Sequence, residues 1–598
     1  MKKDTFWLNK KEIDKYKGIP NNNARLEKIM SEVLPKKTDL EKLLWIPPSR
    51  PYYELQGVYK NSELTSKTLI FSSWEMVPRM LACLISYEAE RRTVGELAKK
   101  CQDENVHYFY TEEKKRYPPA RMNFSVKKDP STGKNILAGM SLFCLIYPSQ
   151  FLSECYNPIQ CMNEKLGIDA IEKQIKAKIS EKLSAYQSKE TGRSDKKWYY
   201  LAPLLLDGEE YALSWINSFN KLIDSDSDNK LVDSGDNKDK NKRNDLFIKH
   251  LKNIKDLFCE TLSKNATNLG RKPNHLADIL TDMAIAGPAI CINRTYKMYL
   301  NDLDHSWTFP VYMPTQLAKV FIDRMNSPES TAAVDLACRR KSKKSDDIHW
   351  QNMLTYCKYG NLQAVFDEYA HLIASGQEHD KNLINKIHRQ MLGAIKIRTA
   401  SYNVDTFESF KLRVSQNEIG EKKAISFRTH FAVAFTKGDG NDSDGDRKKI
   451  IREAFNSPFR PFVLATTSVG QEGLDFHNYC RKIVHWNLPS NPIDLEQREG
   501  RINRFKCLAI RQNIAKRYGD ISFNNDIWEE MFAEASNKEK LAGSSDLIPY
   551  WVLRETEDMV KIERIVPMYP YSRDGQAYTR LIKILSMYRL TLGQPRQE

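Results

Sequence analysis

Short apolar runs without internal alternation occur near both ends of this chain, each closed by a polar turn. Lys67-Thr68-Leu69-Ile70-Phe71, leading to Ser72-Ser73-Trp74, is the first of them. A run with no polar face predicts a strand buried on both sides of a parallel sheet, and Val77–Arg92 reads as the helix behind it. Pro461–Ala465 and Ile483–Trp486 have the same character. Ile425–Phe435 reads as a further strand, joined to Pro461 by a helix over Asp446–Phe455. After Trp486, Leu488-Pro489-Ser490-Asn491-Pro492 breaks the chain. Pro492 and Asp494 then stand where helix starts accept them, which predicts a helix carrying Gln497, Arg498, Gly500, Arg501 and Arg504.

Between the first run and the later ones the pattern turns helical. Asp278–Ala286, stopped by Gly287-Pro288, and Gly360–Ile373 are its clearest helices, and Asp367, Glu368 and His371 read as polar surface on the second. Asp224–Asn244 has hardly an apolar residue and reads as a disordered surface loop. The Pro-rich stretch Leu44–Tyr53 suits neither helix nor inner strand, so a connector packed on a surface is expected. Asn23–Met30, the basic stretch Phe505–Tyr518 and Ala577–Leu590 have helical spacing. The pattern therefore predicts an α/β fold, a parallel-sheet domain interrupted by a large, mainly helical insertion. Its divisions are a connector (1–60), the sheet domain (61–93 with 423–520), the insertion (94–422, including the loop 224–244) and a C-terminal extension (521–598).

Composition narrows the partners. The 598 residues exceed what one small core holds, and 92 Lys and Arg against 77 Asp and Glu leave a net charge of +15. That balance fits a nucleic-acid partner. No apolar run approaches the length of a membrane span, and no signal-peptide core follows Met1-Lys2-Lys3-Asp4. Eleven cysteines include no Cys-x-x-Cys pair and no histidines at zinc spacing, so reduced structural thiols in a cytoplasm are expected. Lys114-Lys115-Arg116 and Arg339–Lys344 read as solvated basic loops.

The chemistry concentrates in 461–504. Arg501 and Arg504 stand three apart, so on a helix they share a face, and two planar guanidinium forks near the ends of parallel strands grip phosphate bidentately. Thr466–Asp475 (TTSVGQEGLD) resembles the fifth signature motif of superfamily-two helicases and translocases, and Gln497–Arg504 (QREGRINR) the sixth, Gln-x-x-Gly-Arg-x-x-Arg. Lys67–Trp74 resembles the fourth motif, and Arg25–Leu34 the helix at the hinge between the two motor lobes. The tail is similar to C-terminal extensions of large bacterial helicases related to the Swi/Snf group, some of them in phage-defence loci.

The resemblance implies a RecA-like motor lobe using ATP and Mg2+ at a site shared with a second lobe. Arg501 and Arg504 take the arginine-finger positions, Gln497 senses the γ-phosphate, and Gly473, Asp475 and Gly500 shape the nucleotide cleft. Thr466, Thr467 and Ser72, with Lys506 and Arg511 on the basic helix, meet nucleic acid. Expected partners are DNA, duplex or single-stranded, an N-terminal half or longer parent chain, and other defence proteins.

The first lobe's signature is missing. The sole Gly-Lys pair, Gly133-Lys134, is followed by Asn135, with Lys128 where a leading glycine belongs. No acidic box follows an apolar strand, Asp346-Asp347-Ile348-His349 being the nearest string. The chain thus reads as the C-terminal half of a motor, whose partner half is a separate polypeptide or the rest of a longer protein, and Met1 at the hinge leads to the expectation of a split gene or truncated reading frame. The alternative is a helicase-derived scaffold that has lost catalysis and keeps only binding. Gln497, Gly500, Arg501 and Arg504 favour the motor, since a scaffold needs none of them.

Overall fold

The computed structural model describes every residue except 1–7, 9, 21, 37, 104–119, 129–132, 190, 225–236, 301–307, 339–347, 379, 397–399, 406–413, 415–424, 437–442, 468–473, 540–544 and 592–598. In chain order, helix α1 (Ala24–Val33) starts at Asn23, whose side chain accepts from the amides of Arg25 and Leu26, a regular N-cap. Strand β1 (Lys67–Phe71) feeds helix α2 (Met76–Asp103). A small antiparallel hairpin, β2 (Ser125–Lys128) and β3 (Asn135–Ala138), precedes a helical region that includes α3 (Leu276–Ala286), α4 (Pro288–Met298) and α5 (Leu362–Ala374). A second antiparallel pair, β4 (Ala400–Val404) and β5 (Ile425–Thr429), leads to β6 (Ala432–Phe435), α6 (Ser443–Phe455), β7 (Val463–Thr466) and β8 (Cys480–His485). The chain closes with α7 (Pro492–Glu499), α8 (Leu508–Tyr518), α9 (Ile527–Glu539), β9 (Glu563–Ile565) and α10 (Asp574–Thr591).

One five-stranded sheet has the order β6-β7-β1-β8-β9, and every neighbouring pair is parallel. Strand β1 lies at its centre although β6 and β7 lie far downstream in sequence. The α/β reading holds, with three corrections. Ile425–Phe435 is two strands, because β5 pairs antiparallel with β4 and only β6 enters the parallel sheet. Part of the expected C-terminal extension, β9, is the sheet's edge strand, fastened where Arg481 donates to Glu563. The stretch expected as a loop over 224–244 turns helical at Asn237, while 225–236 lies outside the described residues.

Side chains alternate across the sheet as strand geometry demands. Leu69, Phe71, Val433, Phe435, Leu464 and Ile483 face one apolar cluster with Phe455, Phe476 and Ile502. Ile70, Ala434, Val463, Ala465 and Val484 face the other, under Leu81 and Ile85 of α2. That second core continues without a break into the helical region. The Pro-rich stretch runs through it and not over a surface, since Trp45, Tyr52 and Tyr53 are all buried. The Trp45 ring lies among Tyr59, Phe321, Tyr356 and Phe459, with centroids 5.2–6.4 Å away. Its indole N–H donates to the carbonyl of Gly360, where a Cβ would come within 2.6 Å of the ring. Among the described residues no single helix is long and apolar enough to cross a membrane. The bent apolar pair α3 and α4 is buried almost throughout.

Lys67 is buried in β1 and donates to the carbonyls of Ala454 and Phe459 at 3.1 and 2.5 Å. It thereby supplies donors at the C-terminus of α6, where the last carbonyls lack helical partners. Burial drives its pKa well below the ordinary lysine value.

The polar residues of α5 are also inside, against the surface reading of Asp367, Glu368 and His371. Asp367 accepts from Tyr52 (2.8 Å), Thr295 (2.5 Å) and Gln363 (2.9 Å). Burial pushes its carboxyl up to about 6 against those bonds, which pull it down. The folded state then holds a proton that the unfolded chain has released, so this group opposes folding increasingly as pH rises from about 4 to above 6. Asp367→Asn removes the titration. Relative to wild type it is expected to gain roughly 3 kcal/mol between pH 4 and pH 7.5, measured by urea denaturation at several pH values. A difference independent of pH would rule this out.

Candidate functional site

The carboxyl ends of parallel strands are where open α/β sheets place their ligands, and of the predicted site residues Ser72, Thr466 and Thr467 stand there. Ser72 follows β1 and donates its amide to the Thr466 carbonyl (3.0 Å), so the ends of β1 and β7 are level. Asn487, two residues past β8, accepts from the Ser72 hydroxyl (3.1 Å) and the Ser73 amide (3.3 Å). The Asn487 carbonyl accepts from Arg498, whose guanidinium stacks 5.3 Å from the Phe71 ring. Three strand ends and α7 are thus tied by side chains, of which sequence reading missed Asn487. Its signal was its place just after a buried strand and before a proline break.

Helix α7 ends at Glu499, earlier than expected. Gly500 caps it, donating to the Glu496 carbonyl (2.8 Å), and Arg501 and Arg504 lie in the following turn and not on a helix face. What brings them together is the segment after β7. The Phe476 amide donates to the Arg501 carbonyl (2.8 Å), Arg501 reaches the Leu474 carbonyl (3.4 Å), and Arg504 Nε donates to Asp475 Oδ1 (2.9 Å). Asn456 supports the far side by donating to the Asp475 carbonyl at 2.7 Å. Between the arginines, Ile502 is buried against Phe476 and Leu464 and pins the turn to the sheet. Burial and the neighbouring Arg504 lower the Arg501 pKa, while Asp475 opposes them. Two guanidinium groups held in one short turn, one resting on a half-exposed carboxylate, have the donor chemistry that suits an anion.

The other predicted residues divide. Gln497 is exposed on α7. Gly473 lies outside the described residues, as do both basic clusters. Thr466 is buried and donates its hydroxyl to the Phe435 carbonyl (2.8 Å); Thr467 and Ser72 are buried too. Their hydroxyls do not face solvent, and Ser73 and Trp74 form the exposed surface at that strand end.

Lys506 and Arg511 are corrections. Both face inward, Arg511 against the buried Glu368 and Lys506 against His371 and Ser375 at the end of α5. Arg511 is fully buried, with Nε 2.9 Å from Glu368 Oε1, and donates to the carbonyls of Lys506 and Asn478. Glu368 also accepts from the Ser49 amide (2.7 Å) and hydroxyl (2.9 Å). Lys506 donates to His371 Nε2 (3.3 Å) and the Ser375 hydroxyl (3.2 Å), and His371 Nδ1 donates to Asp526 (2.8 Å). His371, Asp526 and Glu529 bring ligand atoms within 4.8 Å of one another, a spacing that suits a metal ion. Lys506 Nζ meets that cluster at His371.

Gly133-Lys134 connects the antiparallel strands β2 and β3, with no helix N-terminus after it, so it is no phosphate cradle. His349 is buried against Asp335 (2.8 Å); Asp346 and Asp347 lie outside the described residues.

Residues 404–506 match the helicase conserved C-terminal domain, and no curated protein and no solved structure matches the chain. The matched segment holds β6, β7, β8 and the arginine turn, whereas β1 and β9 complete the same sheet from outside it. A C-terminal helicase lobe of superfamily one or two is the reading this match supports, with nucleotide and nucleic-acid binding at the level of the family.

A buried ion pair that loses one partner leaves an uncompensated charge. Arg511→Met is therefore expected to cost roughly 3–5 kcal/mol, with Arg511→Met combined with Glu368→Gln recovering part of it. Chemical denaturation of the two variants checks this; a loss under about 1 kcal/mol for the single variant would show the pair to be expendable.

Proposed function

We propose that this chain is the C-terminal motor lobe of an ATP-dependent DNA helicase or translocase, of the superfamily-two type that its motif wording resembles and, by the resemblance of its tail, related to the Swi/Snf group. It contributes Arg501 and Arg504 to an ATP site whose phosphate loop and acidic box belong to an N-terminal RecA-like lobe. The observation that carries this reading is the arginine turn, folded against Leu474–Phe476 at the edge of a parallel sheet.

The residues present fit one end of the nucleotide. Two guanidinium groups suit a terminal phosphate, and Asp475 is already paired with Arg504, so the turn offers no carboxylate set for magnesium. When bound, ATP with Mg2+ supplies the phosphoryl group and the charge that hydrolysis develops. Arg501 and Arg504 stabilise that charge, Asp475 holds Arg504 in place beforehand, and Gln497 lies one helical turn earlier on the exposed face of α7. DNA crosses the ends of β1 and β7, where Ser73 and Trp74 are exposed and Thr467 is the first residue beyond β7.

Two measurements test the proposal. The chain alone is expected to release no phosphate from ATP. Joined to the N-terminal lobe, as partner or parent chain, it is expected to show ATPase activity stimulated by DNA. Its DNA affinity should be independent of sequence and fall steeply with salt as counterions are released. DNA binding that persists in an assembly without ATPase activity would favour the scaffold, and affinity unchanged by salt would remove DNA as the partner.

A further inference from the structure

Lys506 stands immediately beyond the arginine turn, and its surroundings are unusual for a lysine. Its φ of 51° is left-handed, a conformation that costs a side-chain-bearing residue of order 1 kcal/mol or more and persists only when its surroundings enforce it. Four contacts enforce it here. Its amide donates to the Tyr550 carbonyl (2.8 Å), its ammonium donates to His371 and Ser375 of the α5 end, and the same ammonium lies 4.7 Å from the Phe532 ring of α9. Arg511 donates to the Lys506 carbonyl (2.8 Å), so the buried Glu368–Arg511 pair holds the residue from behind as well.

We propose that Lys506 is a positioning residue for Arg501 and Arg504, through which helix α5 of the helical region sets the geometry of the arginine turn. The turn has two anchors. On the sheet side, Ile502 is sunk in the core and Phe476 holds the Arg501 carbonyl. On the other side the anchors of Arg504 are polar. Its position is fixed by Asp475, which is half exposed, and by the bond from the Cys507 amide to the Arg504 carbonyl (3.1 Å). That second bond exists only while the chain reverses at Lys506. A movement of α5 therefore reaches Arg504 through one buried side chain.

The role as a positioning residue for catalysis rests on the nucleotide reading above; the mechanical coupling does not. Hydrogen exchange of the full chain, followed by mass spectrometry, reads the turn without any activity. The Arg501, Ile502, Asn503 and Lys506 amides are all hydrogen-bonded and report on it. Lys506→Met keeps the bulk and removes the donors, and Ser375→Ala removes only one bond should the first variant fold poorly. Exchange across 501–507 is expected to rise about tenfold or more in Lys506→Met and less in Ser375→Ala, with the amides of β1 and β7 unchanged. In the complete assembly, Lys506→Met should lower kcat with little change in the KM for ATP. Unchanged exchange in the turn, or an even rise over the whole chain, would overturn the coupling. A turn that loosens while the wild-type assembly shows no ATPase activity would leave the coupling standing and remove the catalytic role.

Discussion

The pairing of Glu368 with Arg511 is the constraint on which the arrangement of this molecule depends. Taking both charges out of water is costly, and the structure offsets that cost with hydrogen bonds to both partners. Glu368 receives a guanidinium, an amide and a hydroxyl, and Arg511 spends its remaining donors on two carbonyls. With Glu368 on the helical region and Arg511 on α8, these groups join the connector before β1, the segment after β7 and the turn beyond the arginines. No piece shifts alone without orphaning a buried polar group, so the pair fixes the relative positions of segments hundreds of residues apart in sequence.

The consequence is a parallel sheet whose second face is not a boundary. Trp45 and its aromatic neighbours carry the core across from the sheet into the helices, and the polar side chains of α5 fasten what the apolar core positions. Asp367 secures Tyr52, Glu368 secures Ser49 and Arg511, and His371 secures Lys506 and Asp526. The first face stays a conventional sheet core, and the arginine turn sits at its rim. The turn is thus held on one side by ordinary packing and on the other by a polar chain that leads into the helical region.

Much of the sheet was legible because buried parallel strands are unbroken apolar runs: β1, β7 and β8 stand within a few residues of where Lys67–Phe71, Pro461–Ala465 and Ile483–Trp486 place them. Strand β9 was not legible. Glu-Arg-Ile is too short and polar to signal a strand, and only its partner β8 makes it one. The site motifs were visible as wording, but their geometry was not: Arg501 and Arg504 three apart read as one helix face, whereas Gly500 ends the helix before them. The direction of Lys506 and Arg511 was the larger error. A basic amphipathic stretch looks the same in sequence whether its charges meet phosphate or buried carboxylates. Glu368 and His371, which decide the matter, are well over a hundred positions upstream.

The account's central claim is that Arg501 and Arg504 act on the charge that develops at a nucleotide's terminal phosphate, and Arg504→Lys tests it most directly. Lysine keeps the positive charge beside Asp475 and loses the planar fork. In the complete two-lobed assembly, kcat for ATP hydrolysis should fall about 10³-fold or more, close to the fall in Arg504→Ala, while the KM for ATP and the affinity for DNA change little. Wild-type turnover in both variants would contradict the claim and leave the turn as a structural remnant.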